Sequence, residues 1–182
     1  MKLRVKVISM ATAGMGAAAI ATAVLQPFEG REYHAYQDPV GIWSICDGAT
    51  TKVLKGDFAD DLDCDRMTER DVAVADATFE RCAPGLRREM PAYRRAAFID
   101  FIYNVGPGGT GIKDGFCRLK NGREPRMLWL LKRGHQVEAC KEFPFWNKQK
   151  LKGITERREV ERLVCLGLIV EGAGHWHDWR GR

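Results

Sequence analysis

The sequence has little surplus charge. Its 29 Lys and Arg residues stand against 24 Asp and Glu. Lys2, Arg4 and Lys6 supply three of the five excess charges, which leaves 26 basic against 24 acidic groups in the remainder. A dedicated nucleic-acid binder concentrates basic charge on one face, and a surplus of two argues against that class, leaving only weak attraction to anionic cell-wall polymer. The six cysteines include no C-x-x-C pair and no C-x-x-C-H, so zinc ribbons and thioredoxin-like motifs are poorly supported. No internal repeat is present, which argues against a solenoid. The Gly-rich stretch 106–111 lacks the G-K-[ST] ending of a phosphate loop and reads as a turn. With 45% apolar and 29% charged residues, the chain is neither a disordered tail nor a polytopic membrane protein. Its 182 residues fit one compact domain.

The single long uncharged run lies at the start. Behind Lys2, Arg4 and Lys6 come nineteen residues, Val7 to Leu25, without a charge. As a helix at about 1.5 Å per residue they would just cross a ~30 Å hydrocarbon core. The basic flank would hold the N-terminus in the cytoplasm and send the rest across the membrane. Twelve of the nineteen are Ala, Gly, Ser or Thr. The strong membrane formers Val7, Ile8, Ile20, Val24 and Leu25 together contribute roughly −1.5 to −3 kcal/mol on the insertion scale, so such a span inserts marginally. Three readings follow: a releasable anchor, a signal peptide cut at the A-x-A pattern Ala21-Thr22-Ala23, or a permanent anchor. Each delivers the chain to an oxidising compartment, where an even cysteine count suggests three disulfides among 15 possible connectivities. The count alone is equally compatible with six reduced, buried thiols.

Beyond the leader, residues 28 to 65 are rich in Gly, Asp and Trp and suggest turns and short strands. Thr68-Glu69-Arg70-Asp71 resembles a capped helix start, with Val72, Val74, Ala75, Phe79 and Cys82 on its buried side. Pro91 opens a second helix whose apolar face, Ala97, Phe98, Phe101, Ile102 and Val105, marks it as the central core helix. Shorter helices are expected near Arg126 to Arg133 and Val137 to Glu142. A last helix is expected from Thr155, burying Val160, Leu163, Val164 and Leu168. The expected class is α+β, mainly α: a small β-containing lobe, a larger helical lobe and a cleft between them.

The residues that could carry chemistry begin where the leader ends, with Phe28-Glu29-Gly30, Tyr36-Gln37-Asp38 and Gly41-Ile42-Trp43-Ser44. Two carboxylates joined by a turn-prone aromatic segment suit glycoside hydrolysis, which needs one protonated carboxyl to donate to the leaving oxygen and one ionised group to stabilise or activate water. The Ser44 hydroxyl would orient that water. Taken bare the signal is weak, since such carboxylates are usually solvated. The full pattern E-G-x6-Q-D-P-V-G-I-W-S-I-C-D-G, however, resembles the Glu, Asp, Thr signature of the phage-type lysozymes, glycoside hydrolase family 24. The stretch Phe98 to Gly106 resembles that family's central helix with its F-x-x-N-V-G end. Ala139-Cys140, Phe145-Trp146 and the stretch Leu151 to Arg162 resemble its C-terminal G-x-x-x-R-R-x-x-E-R helix. The likeness runs in order from about Phe28 to Leu168.

This resemblance implies a lysozyme-like fold acting on the β-1,4 bond between N-acetylmuramic acid and N-acetylglucosamine in peptidoglycan. Glu29 would be the general acid, Asp38 the second carboxylate and Ser44 the hydroxyl at the usual Thr position. Asn104 would line the cleft and Arg158 would reach back to Glu29. It also implies the pairs Cys46 with Cys64 and Cys140 with Cys165, leaving Cys82 with Cys117. The expected enzyme is a monomer that uses no cofactor and no metal, binds no nucleic acid and touches the host inner membrane through its leader. Ser44 in place of Thr loses the methyl that fixes the rotamer, and Ala49 stands where many members carry His. Weak, Ala/Gly-rich leaders of this kind occur in the family's signal-anchor-release endolysins, and the resemblance implies a protein first tethered to the inner membrane in an inactive form and then released into the periplasm when the membrane potential collapses. Residues 1 to 28 contain no cysteine, so restraint through a leader thiol is not available. The expected organisation is an export segment over 1–27, a catalytic domain over 28–170 and a tail over 171–182. Two further patterns are weaker. Asp61-x-Asp63-x-Asp65 has Arg66 and Val72 where a calcium loop needs Gly and Glu, and His175-Trp176-His177-Asp178-Trp179 reads as a loosely packed tail.

Overall fold

A computed structural model describes residues 14–38 and 41–168. The His175 to Trp179 pattern and the first half of the leader lie outside these residues. The chain forms α1 (Ala17–Leu25), β1 (Glu32–Gln37), β2 (Trp43–Cys46), α2 (Asp61–Cys82), α3 (Leu86–Glu89), α4 (Ala92–Val105), α5 (Arg126–Leu131), α6 (Gln136–Cys140), a 3-10 turn (Phe143–Phe145) and α7 (Lys152–Leu166). This is the α+β, mainly helical class that the resemblance implies.

The small lobe is an antiparallel hairpin of β1 and β2, with Tyr36 opposite Ser44 and an irregularity between Glu32 and Tyr36. Too small to bury a core of its own, the hairpin packs Ile45, Cys46 and Ala49 on Ala59 and Cys64 of the following segment, and the Cys46–Cys64 disulfide closes the unit. Helix α2 links the lobes. It begins seven residues earlier than Thr68 suggests, because the Asp60 carboxylate accepts a hydrogen bond from the Asp63 backbone N–H at 2.9 Å and caps the end. Thr68 is therefore mid-helix and buried, and Val74 points outward. At 22 residues α2 is about 33 Å long, enough to place its own Cys64 in the small-lobe core and its Phe79 in the large-lobe core.

In the large lobe α4 is buried from Ala96 through Ile102, and Phe79, Phe98, Phe101, Phe116 and Phe143 pack around it with ring centroids 5.2 to 6.2 Å apart. Helix α4 starts at Pro91 as the sequence predicts and stops at Gly106, whose φ of 75° suits glycine. The following loop folds back tightly. A Cβ on Gly108 would come within 2.1 Å of the Arg118 carbonyl oxygen, so glycine is required there. The remaining disulfides, Cys82–Cys117 and Cys140–Cys165, tie α2 to this loop and α6 to α7, giving the three pairs expected from the resemblance.

Helix α7 begins at Lys152, earlier than Thr155, and buries Val160 and Val164, whereas Leu168 is exposed. Helix α1 is the unexpected element. Ile20, Ala21, Val24 and Leu25, read from sequence as part of a membrane span, are fully buried in the same cluster as Phe79 and Phe98, packed mainly on α4 and α2. Among the described residues no helix is long and apolar enough to cross a membrane.

Candidate active site

Helix α1 places Glu29. The Leu25 carbonyl accepts hydrogen bonds from the backbone N–H groups of Phe28 at 2.9 Å and Glu29 at 3.3 Å, so the chain turns off the helix end with the carboxylate one turn beyond the buried Leu25. The Glu29 side chain is 21% exposed and pairs through Oε1 with Nη1 of Arg157. Burial pushes the Glu29 carboxyl up and the Arg157 guanidinium pulls it down; burial prevails, and the group lies above its ordinary value.

Arg157, and not the expected Arg158, reaches Glu29. One residue along a helix turns the side chain by about 100°, and the two arginines diverge accordingly. Arg157 also donates through Nη2 to Asp100 Oδ1 at 2.8 Å, and its guanidinium lies 5.6 Å from the Phe28 ring. Arg158 contacts Glu161 Oε1 and Asn104 Oδ1 and lies 4.8 Å over the Phe101 ring, which makes it a tie between α7 and the end of α4. The buried positions Val160 and Val164 place residue 157 three and seven positions back on the same face, the signal in the sequence that points to Arg157.

A cavity of about 690 Å³ opens beside this pair, lined by Phe28, Glu29, Asn104, Lys152, Glu156 and Arg157 among others. Asn104 thus borders the opening that contains Glu29. Asp38 and Ser44 do not line this cavity. Asp38 sits at the tip of the hairpin, where Oδ1 accepts from the Ile42 backbone N–H at 2.8 Å and its own N–H bonds the Ile42 carbonyl at 2.9 Å. Ser44 is buried on β2, its hydroxyl 3.5 Å from the Ile42 carbonyl. Tyr36, across from Ser44, links the two carboxylates electrostatically: burial raises its hydroxyl pKa first, and the charges of Glu29, Glu32 and Asp38 add to the rise.

A second layer fixes the turn after β2. Asp47 is held by Arg31 through Nε at 3.0 Å and Nη2 at 2.8 Å, and accepts from the Thr68 hydroxyl at 2.7 Å. Burial opposes its ionisation, but the hydrogen bonds from Arg31 and Thr68 prevail and its pKa falls. The Tyr103 hydroxyl donates to the Asp47 carbonyl at 2.8 Å, and Gly48 lies close to Glu29 Oε2. Ala49 is buried in the small-lobe core. Sequence reading missed Arg31, Asp47, Thr68 and Tyr103, because they lie in separate elements and match no spacing rule. Among the described residues no cluster of His, Cys, Asp or Glu could hold a metal ion.

These features define a lysozyme-type glycosidase, and the chain belongs to the phage lysozyme family, whose family model matches residues 26–161. Relatives include the SAR-endolysin of Pseudomonas phage phiKMV, 34% identical over 82% of this chain and 88% of its own length. The SAR-endolysin of Enterobacteria phage PA-2 is 30% identical over 86% of this chain and 92% of its own length. Among solved structures, the active form of the P1 phage endolysin Lyz superposes with a TM-score of 0.70 at 21% identity, covering 93% of this chain and 96% of that one. The muramidase domain of SpmX from Asticaccaulis excentricus gives a TM-score of 0.63 at 18% identity, covering 80% of this chain and 94% of that one.

Proposed function

We propose that the protein is a phage endolysin that hydrolyses the β-1,4 bond between N-acetylmuramic acid and N-acetylglucosamine in peptidoglycan, and that it is exported on a releasable anchor. The observation that carries the catalytic reading is the half-buried Glu29 at the mouth of a cavity, its pKa raised by burial despite Arg157. A carboxyl that keeps its proton to higher pH can give it to the glycosidic oxygen as the C–O bond breaks. Asp38, at the hairpin tip, is the second carboxyl group and faces the positive charge at the anomeric carbon, and Ser44 orients the attacking water. Asn104 binds glycan at the cavity edge. The enzyme acts as a monomer on the wall, without cofactor or nucleic acid.

Purified, oxidised protein is expected to clear bare sacculi, and Glu29→Gln to lower that rate by at least about a hundredfold. Equal rates for the two proteins would overturn the assignment. Mass spectrometry of the products separates hydrolysis from the second enzymatic reading, a lytic transglycosylase: reducing ends support hydrolysis and anhydro ends the alternative. Failure of both proteins to cut would favour an inactive wall-binding protein of this fold.

The anchor reading rests on α1. Ile20, Val24 and Leu25 have no exposed surface, and burying three such side chains stabilises by roughly 4.5 to 9 kcal/mol. The whole span gains only about 1.5 to 3 kcal/mol by entering a bilayer. Release into the folded domain is thus downhill once the membrane potential no longer holds the leader. Cleavage after Ala23 would sever α1 and remove Ile20 and Ala21 from the core. With only Gln26, Pro27 and Phe28 between the span and Glu29, the tethered carboxylate stays within about 14 Å of the bilayer, and the site cannot assemble. The N-terminal mass of periplasmic protein tests this: an intact leader supports release, and a start at Val24 supports cleavage. A tethered, energised form as active as the soluble one would overturn the restraint.

A further inference from the structure

Behind Glu29 and Arg157 lies a closed group of charges. Asp100 on α4 and Glu161 on α7 are both fully buried, with no exposed surface. Arg157 donates to Asp100 Oδ1, and Arg158 pairs with Glu161 Oε1. This uses one oxygen of each carboxyl. The others, Asp100 Oδ2 and Glu161 Oε2, are buried with no donor among the described residues, and one guanidinium brings the two carboxyls together, Arg157 meeting Asp100 Oδ1 through Nη2 at 2.8 Å and Glu161 Oε1 from Nε at 3.6 Å. As two carboxylates they present acceptor to acceptor in a dry interior, an arrangement that costs free energy at both oxygens. A single proton between them satisfies both.

When Glu29 is ionised, the local charge count favours the same state. Three carboxyls, Glu29, Asp100 and Glu161, face two guanidinium groups, Arg157 and Arg158, and burial leaves little solvent to screen an excess charge. Asp47 adds a more distant negative charge towards Glu29, and its own charge is already matched by Arg31. The Tyr103 hydroxyl, the Asn104 amide and the Trp146 carbonyl also face the cluster and carry no charge at neutral pH, while Lys152 and Glu156, one of each sign, line the cavity on the open side of Glu29. Burial drives Glu161 well above the ordinary carboxyl range, with Arg158 opposing and Asp100 adding to the rise.

We propose that Asp100 and Glu161 share one proton at neutral pH, forming a singly charged acid pair that positions Arg157 and limits how strongly it favours the ionised form of Glu29. The proposal rests on the reading of Glu29 as the acid only for its catalytic consequence. With the pair at one negative charge, Arg158 and Arg157 together see two negative charges when Glu29 is ionised and one when it is protonated. Glu29 therefore exchanges its proton next to a cluster that is never more than one charge from neutrality. Asp100 and Glu161 are positioning residues, because they act through Arg157 and do not border the cavity.

Two measurements test this. Asn at position 100, or Gln at 161, mimics the protonated member: its carbonyl accepts from the arginine and its amide donates to the remaining carboxylate. Because Glu29 works protonated, its pKa sets the pH above which activity falls. Asp100→Asn and Glu161→Gln should each leave that alkaline limb close to its wild-type position, whatever happens to the maximal rate. The double variant removes the pair's remaining charge, leaves Glu29 alone against two guanidiniums, and should move the limb down by about one pH unit or more. A single variant that moves the limb at least half as far as the double would overturn the shared proton, since it would mean that both groups are ionised in the native protein. The second readout does not depend on activity. Infrared difference spectra, wild type minus each single variant at neutral pH, should both show the loss of one protonated-carboxyl C=O stretch. Its absence from either difference overturns the proposal even if Glu29 proves to be the acid or the double variant does not fold. Loss of the stretch in both supports the pair even if Glu29 proves not to be the acid.

Discussion

Helices α1 and α7 both deliver a group to the Glu29 carboxyl, and they do so by opposite means. Helix α1 carries no charge and is built from Ala, Ile, Thr, Val and Leu. It holds Glu29 through a turn anchored on the Leu25 carbonyl, and its attachment to the domain is apolar packing. Helix α7 brings Arg157, Arg158 and Glu161 into the interior, where each needs the others. Apolar packing is non-directional and has the same sign in a core and in a bilayer, so α1 has two environments available to it. A buried charge cluster has only one, because ions left without partners in hydrocarbon cost several kcal/mol each. Glu29 is thus held between a helix whose apolar surface suits more than one environment and a helix whose charges suit only this one.

That contrast is sharpest where the cluster is broken. Arg157→Met strands Asp100 and leaves Glu29 unpaired, and is expected to cost about 3–5 kcal/mol in denaturant unfolding. A loss below about 1 kcal/mol would mean that the cluster adapts and that α7 is no more committed to its place than α1. Leu25→Ala on the other side should cost about 2–5 kcal/mol and should also reduce wall-cutting activity, since the same residue anchors the turn to Glu29. Loss of stability with full activity would separate α1 from the site.

The pH dependence of stability comes next in size. A raised folded-state pKa means that Glu29 contributes stability below its unfolded pKa and loses it as pH rises through the folded value. Glu29→Gln lacks that loss. Its melting temperature relative to wild type should therefore increase from acidic to mildly alkaline pH, and a difference that shrinks over the same range would reverse the sign assigned to burial.

Two smaller effects probe each helix's neighbourhood. Ala18 is exposed and Thr22 is half-buried in the folded domain, so Ala18→Leu with Thr22→Leu should strengthen membrane retention by roughly 0.5 kcal/mol per residue with little effect on the core. Slower lysis is the expected outcome, and unchanged timing would detach release from insertion energy. Ser44→Thr should raise activity about two- to fivefold, the worth of fixing one side-chain rotor. Higher activity for the serine form would remove Ser44 from its role with water.

Much of this arrangement was legible in the residues. The face Ala97, Phe98, Phe101 and Ile102 located the central helix because one periodic stripe had nowhere to go but inward. The family pattern led to the three cysteine pairs and to Glu29 at the end of the leader. Other features were illegible for identifiable reasons. The start of α2 was set by a cap at Asp60 outside the apolar repeat. The choice between Arg157 and Arg158 is a matter of 100° of helical phase, which the phrase R-R conceals. The network of Arg31, Asp47, Thr68 and Tyr103 joins four segments of the chain, and no local pattern encodes such a meeting.

Length, composition and motif order by themselves determined the class of the domain, the weakness of the leader and the residue types available for acid catalysis, because hydrophobic periodicity and charge are local properties of the chain. Only tertiary structure decided that the second half of that leader is a core helix, that Arg157 pairs with Glu29, and that Asp100 and Glu161 are buried together against Arg157. Burial and the pairing of charges depend on what the rest of the chain brings alongside, and that is settled only when the chain closes on itself.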